Sequence, residues 1–140
     1  MSVSWIMTRN ITRAGMDDTV GQVRNALEQA HFHHLLVIHK GQLVGILSDR
    51  DILNATTPFN DTRNETSRDE ALLSRRVHQV MTRHPLTIPQ TSTIKEASAI
   101  MLIHGISCLP VVNEKETVVG IVSMRDLLRH YMAMTIQVAS

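Results

Sequence analysis

Two short segments carry the residue types most suited to chemistry. Ser48-Asp49-Arg50-Asp51 and Ser123-Met124-Arg125-Asp126 each set a serine three residues before an aspartate, with an arginine between them. Each follows an apolar run that ends in Gly-Ile-Leu or Gly-Ile-Val, so the serine stands where a strand gives way to a helix. At such a junction the spacing brings hydroxyl and carboxylate to one side of the first helical turn. A carboxylate accepts two hydrogen bonds, which fits the adjacent hydroxyls of a ribose, whereas arginine and the open amides of a helix start suit phosphate. Serine followed by a carboxylate is also a capping box, a purely structural device. Duplication in the same strand-to-helix context favours the site. Met124 stands where the other copy has Asp49, which makes the second site less acidic and more receptive to phosphate.

Two further pairs, His33-His34 and Ser107-Cys108, precede apolar strands, where they are either turn residues or a backbone edge able to read a flat heterocycle. A metal site is not expected. His31, His33, His34 and His39 lack the i,i+4 pairing with a glutamate and any cysteine partnership, and Gly105, Ser107 and Cys108 replace the first three in the other half. Cys108 lies in an apolar run and reads as a packed thiol rather than a nucleophile. Neither paired general acid/base carboxylates nor a Walker-type phosphate loop is visible.

The elements that must position these residues occur twice. Ile6-Met7-Thr8-Arg9 returns as Val80-Met81-Thr82-Arg83, and Gly45-Ile46-Leu47-Ser48 as Gly120-Ile121-Val122-Ser123. A repeat of this size implies two copies of one supersecondary unit, each running strand, helix, strand, strand, helix. In the first, Asp17 or Asp18 is expected to cap a helix over 19–30 with Val20, Val23, Leu27 and Ala30 on its apolar face. Leu35 to Ile38 and Leu43 to Leu47 then form strands around a turn at Lys40-Gly41. In the second, a helix over 92–104, strands over 109–112 and 118–122 and a helix over 125–132 repeat the order, and the single change in length falls at the hairpin turn. A polar connector from Asn54 to Asp69 and a helix over 69–79 join the copies; Tyr131 to Ser140 is either a packing segment or a frayed end.

At 140 residues each half is near the limit for an independent core, so the halves are expected to share one. Four aromatic residues, Trp5, Phe32, Phe59 and Tyr131, leave packing to aliphatic side chains and argue against stacking platforms for single-stranded nucleic acid. A formal net charge of +1 supplies no field for polyanions. Met16, Met101, Met124, Met132 and Met134 read as core or interface filler. One cysteine, no apolar signal core and no run near the ~20 residues that span a bilayer suggest a soluble cytoplasmic protein.

Met-Thr near each start, Leu109-Pro110-Val111-Val112, and Gly-Ile-hydrophobic-Ser-x-Arg-Asp in both copies resemble the CBS domain family, named for cystathionine beta-synthase, in its tandem form or Bateman module. The resemblance extends over roughly 3–134. It implies an α/β (α+β) fold of two pseudo-symmetric β-α-β-β-α units packed through their sheets, with a first unit over 1–56, a linker and lead-in helix over 57–76, a second unit over 77–134 and a tail over 135–140. It also implies a homodimer and regulatory binding of AMP, ADP, ATP or S-adenosylmethionine, with no cofactor required. By the same resemblance, Ser123 and Asp126 take the ribose and Arg125 the phosphate, with Thr8 and Arg13 supplied across the pseudo-axis. Ser48, Arg50 and Asp51 with Thr82 and Thr87 form the companion cleft, and His33, His34, Ser107, Cys108 and Pro110 lie beside the nucleoside.

Leu36 in place of Pro110, and Arg13-Ala14-Gly15 in place of Thr87-Ile88-Pro89, favour the cleft at Asp126 over its companion. The expected function is a non-enzymatic adenine-nucleotide sensor that signals to an effector protein or through a change of oligomer. The alternatives are a dimeric docking scaffold without nucleotide binding and a small hydrolase built on Cys108 or a carboxylate.

Overall fold

A computed structural model of the chain describes residues 1–30, 34–55 and 65–139. Most of the connector, 56–64, lies outside that range, as does His33. The chain forms two compact units: Thr12–Pro85, here the Asp51 unit, and Met1–Ile11 with Leu86–Ser140, the Asp126 unit.

In the Asp51 unit, β1 (Arg13–Ala14), β2 (His34–His39), β3 (Gln42–Ser48) and β4 (Thr82–Arg83) form one sheet in that order. β2 and β3 are an antiparallel hairpin closed by Lys40-Gly41, whose φ angles of 51° and 77° are those of a two-residue primed turn. β1 runs parallel to β2 and β4 antiparallel to β3. Leu35, Leu36 and Val37 are buried in succession, without the alternation of a half-exposed strand.

The Asp126 unit repeats the plan with β5 (Ile88–Pro89), β6 (Cys108–Val112) and β7 (Val118–Ser123). Its hairpin loop is longer, and Asn113 Oδ1 organises it by accepting from the N–H groups of Lys115 at 2.9 Å and Thr117 at 3.0 Å. Both hairpins carry a register shift at the same place, Val37/Ile38 and Val111/Val112.

One helix covers each core in an equivalent way. α1 (Val20–Ala30) buries Val20, Val23 and Leu27. The cap of α1 differs from expectation: Thr19 takes that place, its Oγ1 accepting from Gln22 N–H at 3.3 Å, while Asp18 accepts from Gly15 N–H at 2.8 Å and so holds the preceding turn. α2 (Asp49–Ala55), α3 (Glu65–Ser74) and α4 (Val77–Val80) follow in the same unit. In the other, α5 (Ile94–His104) buries Ile94, Ala97 and Met101, starts on a Thr93 cap and ends on Gly105 at φ 63°. Thr93→Ala is expected to lower stability by about 1 kcal/mol, read as a shift in the urea unfolding midpoint at unchanged slope.

Two helices depart from the sequence reading. The helix expected over 69–79 is broken, because Arg76 is extended at φ −84°, ψ 149°. The backbone there is engaged elsewhere: Val20 N–H donates to Arg75 O and Val77 N–H to Asp18 O, docking the break against the start of α1. The last helix, α6 (Met124–Ala139), runs through most of the segment expected as a tail. Neither Gly nor Pro interrupts 124–139, and the segment is rich in strong helix formers.

Candidate functional site

Each candidate carboxylate sits in the first turn of a helix that leaves a sheet strand. At the start of α6, Ser123 N–H donates to Asp126 Oδ2 at 2.9 Å and Ser123 Oγ donates to the same oxygen at 3.0 Å. Asp126 N–H lies 3.2 Å from Ser123 Oγ and completes the capping box. The other oxygen, Oδ1, is 3.7 Å from Arg129 Nη1. Asp126 is 7% exposed, and among the described residues it is the buried charged side chain. Ionised burial of this kind is costly unless hydrogen-bonded, and here the capping box does the bonding through one oxygen. With two acceptor positions per carboxylate oxygen, Oδ1 keeps capacity for an incoming donor pair.

The start of α2 has the same plan. Ser48 N–H donates to Asp51 Oδ2 at 2.9 Å, and Asp51 N–H donates to Ser48 Oγ at 3.0 Å. Here Oδ1 receives Thr82 Oγ1 at 3.4 Å, so a neighbouring strand already supplies a hydroxyl to it. The capping-box reading of the sequence is therefore correct at both positions, and it accounts for Oδ2 of each carboxylate.

The repeated glycines explain why Met-Thr recurs. Thr8 pairs with Ile121 through two backbone hydrogen bonds of 2.8 and 2.9 Å, and Met7 lies over Gly120. A Cβ on Gly120 would fall 2.6 Å from Met7 Sδ and 3.0 Å from Thr8 O. In the Asp51 unit, Thr82 pairs with Ile46, and a Cβ on Gly45 would overlap the Met81 sulfur. Met-Thr of each sequence repeat thus docks on the Gly-Ile strand of the other repeat, two residues ahead of its serine. The stretches that repeat in sequence and the units that pack are not the same.

This exchange arranges the remaining candidates. Thr8, Thr87, Ser107, Cys108, Pro110, Ser123, Arg125 and Asp126 fall in one unit; Arg13, His34, Ser48, Arg50, Asp51 and Thr82 fall in the other. By unit, Thr87 stands with Asp126 and Arg13 with Asp51. Cys108 is buried and stands opposite Ser123 across the hairpin, and Ser107 O accepts Met124 N–H at 2.9 Å. Pro110 is opposite Ile121, the residue that holds Thr8. Its counterpart Leu36 donates its N–H to Thr12 O at 3.0 Å, a bond proline cannot make. Arg13, Arg50, Thr82, Thr87, Ser107 and Arg125 are exposed.

Arg129 was not among the candidates read from sequence. Its i+3 position after Asp126 was available as a signal, but the repeat pairs it with the uncharged Asn54 and so gave no second instance. Among the described residues no group of three or more His, Cys, Asp or Glu is placed to hold a metal ion. No helix among them is long and apolar enough to cross a membrane.

The profile of the CBS domain matches residues 3–57 and 77–133. A CBS domain-containing protein from Dictyostelium discoideum is 33% identical over 128 residues, covering 90% of this chain and 88% of its own length. Among solved structures, the CBS domain pair of protein MJ0100 in complex with 5′-methylthioadenosine and S-adenosyl-L-methionine is similar with a TM-score of 0.79 at 24% identity, covering 96% of this chain and 98% of that one. CBSX2 in complex with AMP gives 0.77 at 21% identity, again covering 96% and 98%. These two structures speak for the fold. With two profile matches in one chain, two hairpin sheets of the same plan and a relative similar over nearly its whole length, the chain belongs to the CBS domain family and carries the domain in tandem.

Proposed function

We propose that the chain is a regulatory, non-catalytic module that binds an adenosine-containing ligand at Asp126 and passes the signal to a partner protein. The observation that carries this reading is the division of labour within one buried carboxylate: Oδ2 is held by Ser123, while Oδ1 faces an exposed arginine at 3.7 Å. A ribose offers two hydroxyl donors to that oxygen, and Arg129 and Arg125 stand near for a charged tail. The ligands bound to MJ0100 and CBSX2, namely 5′-methylthioadenosine, S-adenosyl-L-methionine and AMP, support adenosine as the common part. AMP, ADP, ATP and S-adenosylmethionine are the candidates, Asp51 marks the companion site, and the cytoplasm is the compartment where they are at hand. Signalling requires that the ligand prefer one of two conformations, since equal affinity for both shifts nothing.

Thermal unfolding of nucleotide-stripped protein tests the proposal. A ligand at about 100 times its Kd stabilises by about 2.7 kcal/mol, which raises Tm by roughly 5–10 °C for a chain of this size. At least one adenosine-containing candidate is expected to do so. Unchanged Tm with all of them would favour a docking module without nucleotide binding.

A further inference from the structure

The two helix starts that carry the candidate carboxylates provide an internal comparison. Ser48 and Ser123, Arg50 and Arg125, and Asp51 and Asp126 recur in both, so none of them sets one site apart from the other. What differs is the group that meets the second carboxylate oxygen. In the Asp51 unit it is a neutral hydroxyl, Thr82 Oγ1 at 3.4 Å from Oδ1; in the Asp126 unit it is a cation, Arg129 Nη1 at 3.7 Å. The repeat has Asn54 at the place of Arg129. The first turn of α2 also holds two acidic residues, Asp49 and Asp51, whereas that of α6 holds Asp126 alone.

Arg129 stands about one turn after Asp126 on the same side of α6. Asp126 is buried and the Arg129 side chain is 72% exposed, so the guanidinium reaches the carboxylate from the solvent side. At 3.7 Å the pair is longer than a hydrogen bond, and an ion pair with an exposed arginine is worth little in water, so a ligand can displace it. The oxygen it faces, however, is the one a ribose needs. A nucleoside that takes Oδ1 leaves the guanidinium facing neutral hydroxyls in place of a carboxylate. A phosphate on the same nucleoside gives the arginine a new anion, which its planar fork of N–H groups can bond in pairs. Asp126 and Arg129 thus read the two ends of a ligand jointly: what the arginine loses to the ribose it regains from a phosphate.

We propose that Arg129 is the specificity-determining residue of the Asp126 site: it yields the carboxylate to the ribose of a 5′-phosphorylated adenosine and opposes adenosine compounds whose 5′ tail is uncharged or cationic. This assignment rests on Asp126 as the ribose acceptor and narrows the ligand class to AMP, ADP and ATP, against S-adenosylmethionine and 5′-methylthioadenosine. Repulsion acts in the same direction. Arg125 and Arg129 lie about 6 Å apart along the axis of α6, so a cationic tail at this helix start stands within the roughly 10 Å Debye length of both.

Calorimetric titrations of AMP and of 5′-methylthioadenosine, which share adenosine and differ at the 5′ group, test the proposal. They are made on nucleotide-stripped Asp51→Asn protein, in which the companion carboxylate is neutral. AMP is expected to bind at least about tenfold more tightly than 5′-methylthioadenosine, the margin of hydrogen bonds to a charged group. Adding Arg129→Asn is expected to move the two affinities in opposite directions, with an unchanged circular dichroism spectrum. AMP should weaken about tenfold or more, whereas 5′-methylthioadenosine should tighten about two- to fivefold, the competing ion pair having been removed. Arg129→Lys keeps the charge and is expected to retain part of the preference for AMP. Equal affinity of the two ligands before Arg129 is changed, or the same ratio after Arg129→Asn, would overturn Arg129 as the selector and leave Asp126 a ribose site. Equal weakening of both ligands by Arg129→Asn would make the residue structural and overturn the proposal as well. Binding of neither ligand to the Asp51→Asn protein would overturn the ribose reading of Asp126 and the assignment of Arg129 with it.

Discussion

Asp126→Ala is expected to weaken binding of an adenosine-containing ligand by about 5- to 150-fold, the equivalent of about 1–3 kcal/mol for a charged hydrogen-bond acceptor. The substitution also removes half of the capping box, so stability should fall by about 1 kcal/mol in the same protein. Asp126→Asn separates the two effects. Its carbonyl oxygen can still accept from Ser123 N–H and Oγ, so the helix start is retained while the charge is lost. Unfolding of Asp126→Asn should therefore resemble the wild type, and its ligand affinity should resemble Asp126→Ala. Wild-type affinity in a folded Asp126→Asn, measured by calorimetry, would reduce Asp126 to a cap.

Gly120→Ala is expected to destabilise the protein by about 1–3 kcal/mol, as overpacking does in a close-packed interior. The added Cβ would meet Met7 Sδ at 2.6 Å, Met7 Cγ at 2.9 Å and Thr8 O at 3.0 Å. The methionine tip can move, but Thr8 O accepts the Ile121 N–H and cannot move without releasing the pairing of Met7-Thr8 with β7. Combining Gly120→Ala with Met7→Ala relieves part of the clash, so the double variant should lose less stability in urea unfolding than the two single losses summed. Strict additivity would mean that Met7 and Gly120 do not meet.

What the sequence disclosed, it disclosed through side chains with specific geometric demands. Gly45 and Gly120 recur because a methionine crosses each strand, and Ser48-Asp51 and Ser123-Asp126 because each caps a helix; these gave the repeat and both candidate carboxylates. Lys40-Gly41 gave a hairpin because a primed turn needs two residues at positive φ. The exchange of Met7-Thr8 and Met81-Thr82 between repeats was hidden, since either segment fits either glycine. Strands of two residues, such as β1 and β5, are too short to carry a period. The break at Arg75-Arg76 interrupts an unbroken apolar pattern from Leu72 to Val80, because backbone docking on Asp18 and Val20 outweighs local helical preference. α6 was underestimated because its outward side is apolar, which resembles a strand or a frayed end when nothing indicates what covers it.

The most direct test of the central claim is a calorimetric titration of AMP and of 2′-deoxy-AMP into the nucleotide-stripped protein. A carboxylate oxygen that receives the ribose hydroxyls predicts saturable binding of AMP and at least about fivefold weaker binding of the deoxy compound, one hydrogen bond to a charged group having been removed. If AMP and 2′-deoxy-AMP bind with equal affinity, Asp126 does not read the ribose. If neither they nor S-adenosylmethionine gives heat, the tandem domain is not an adenosine sensor.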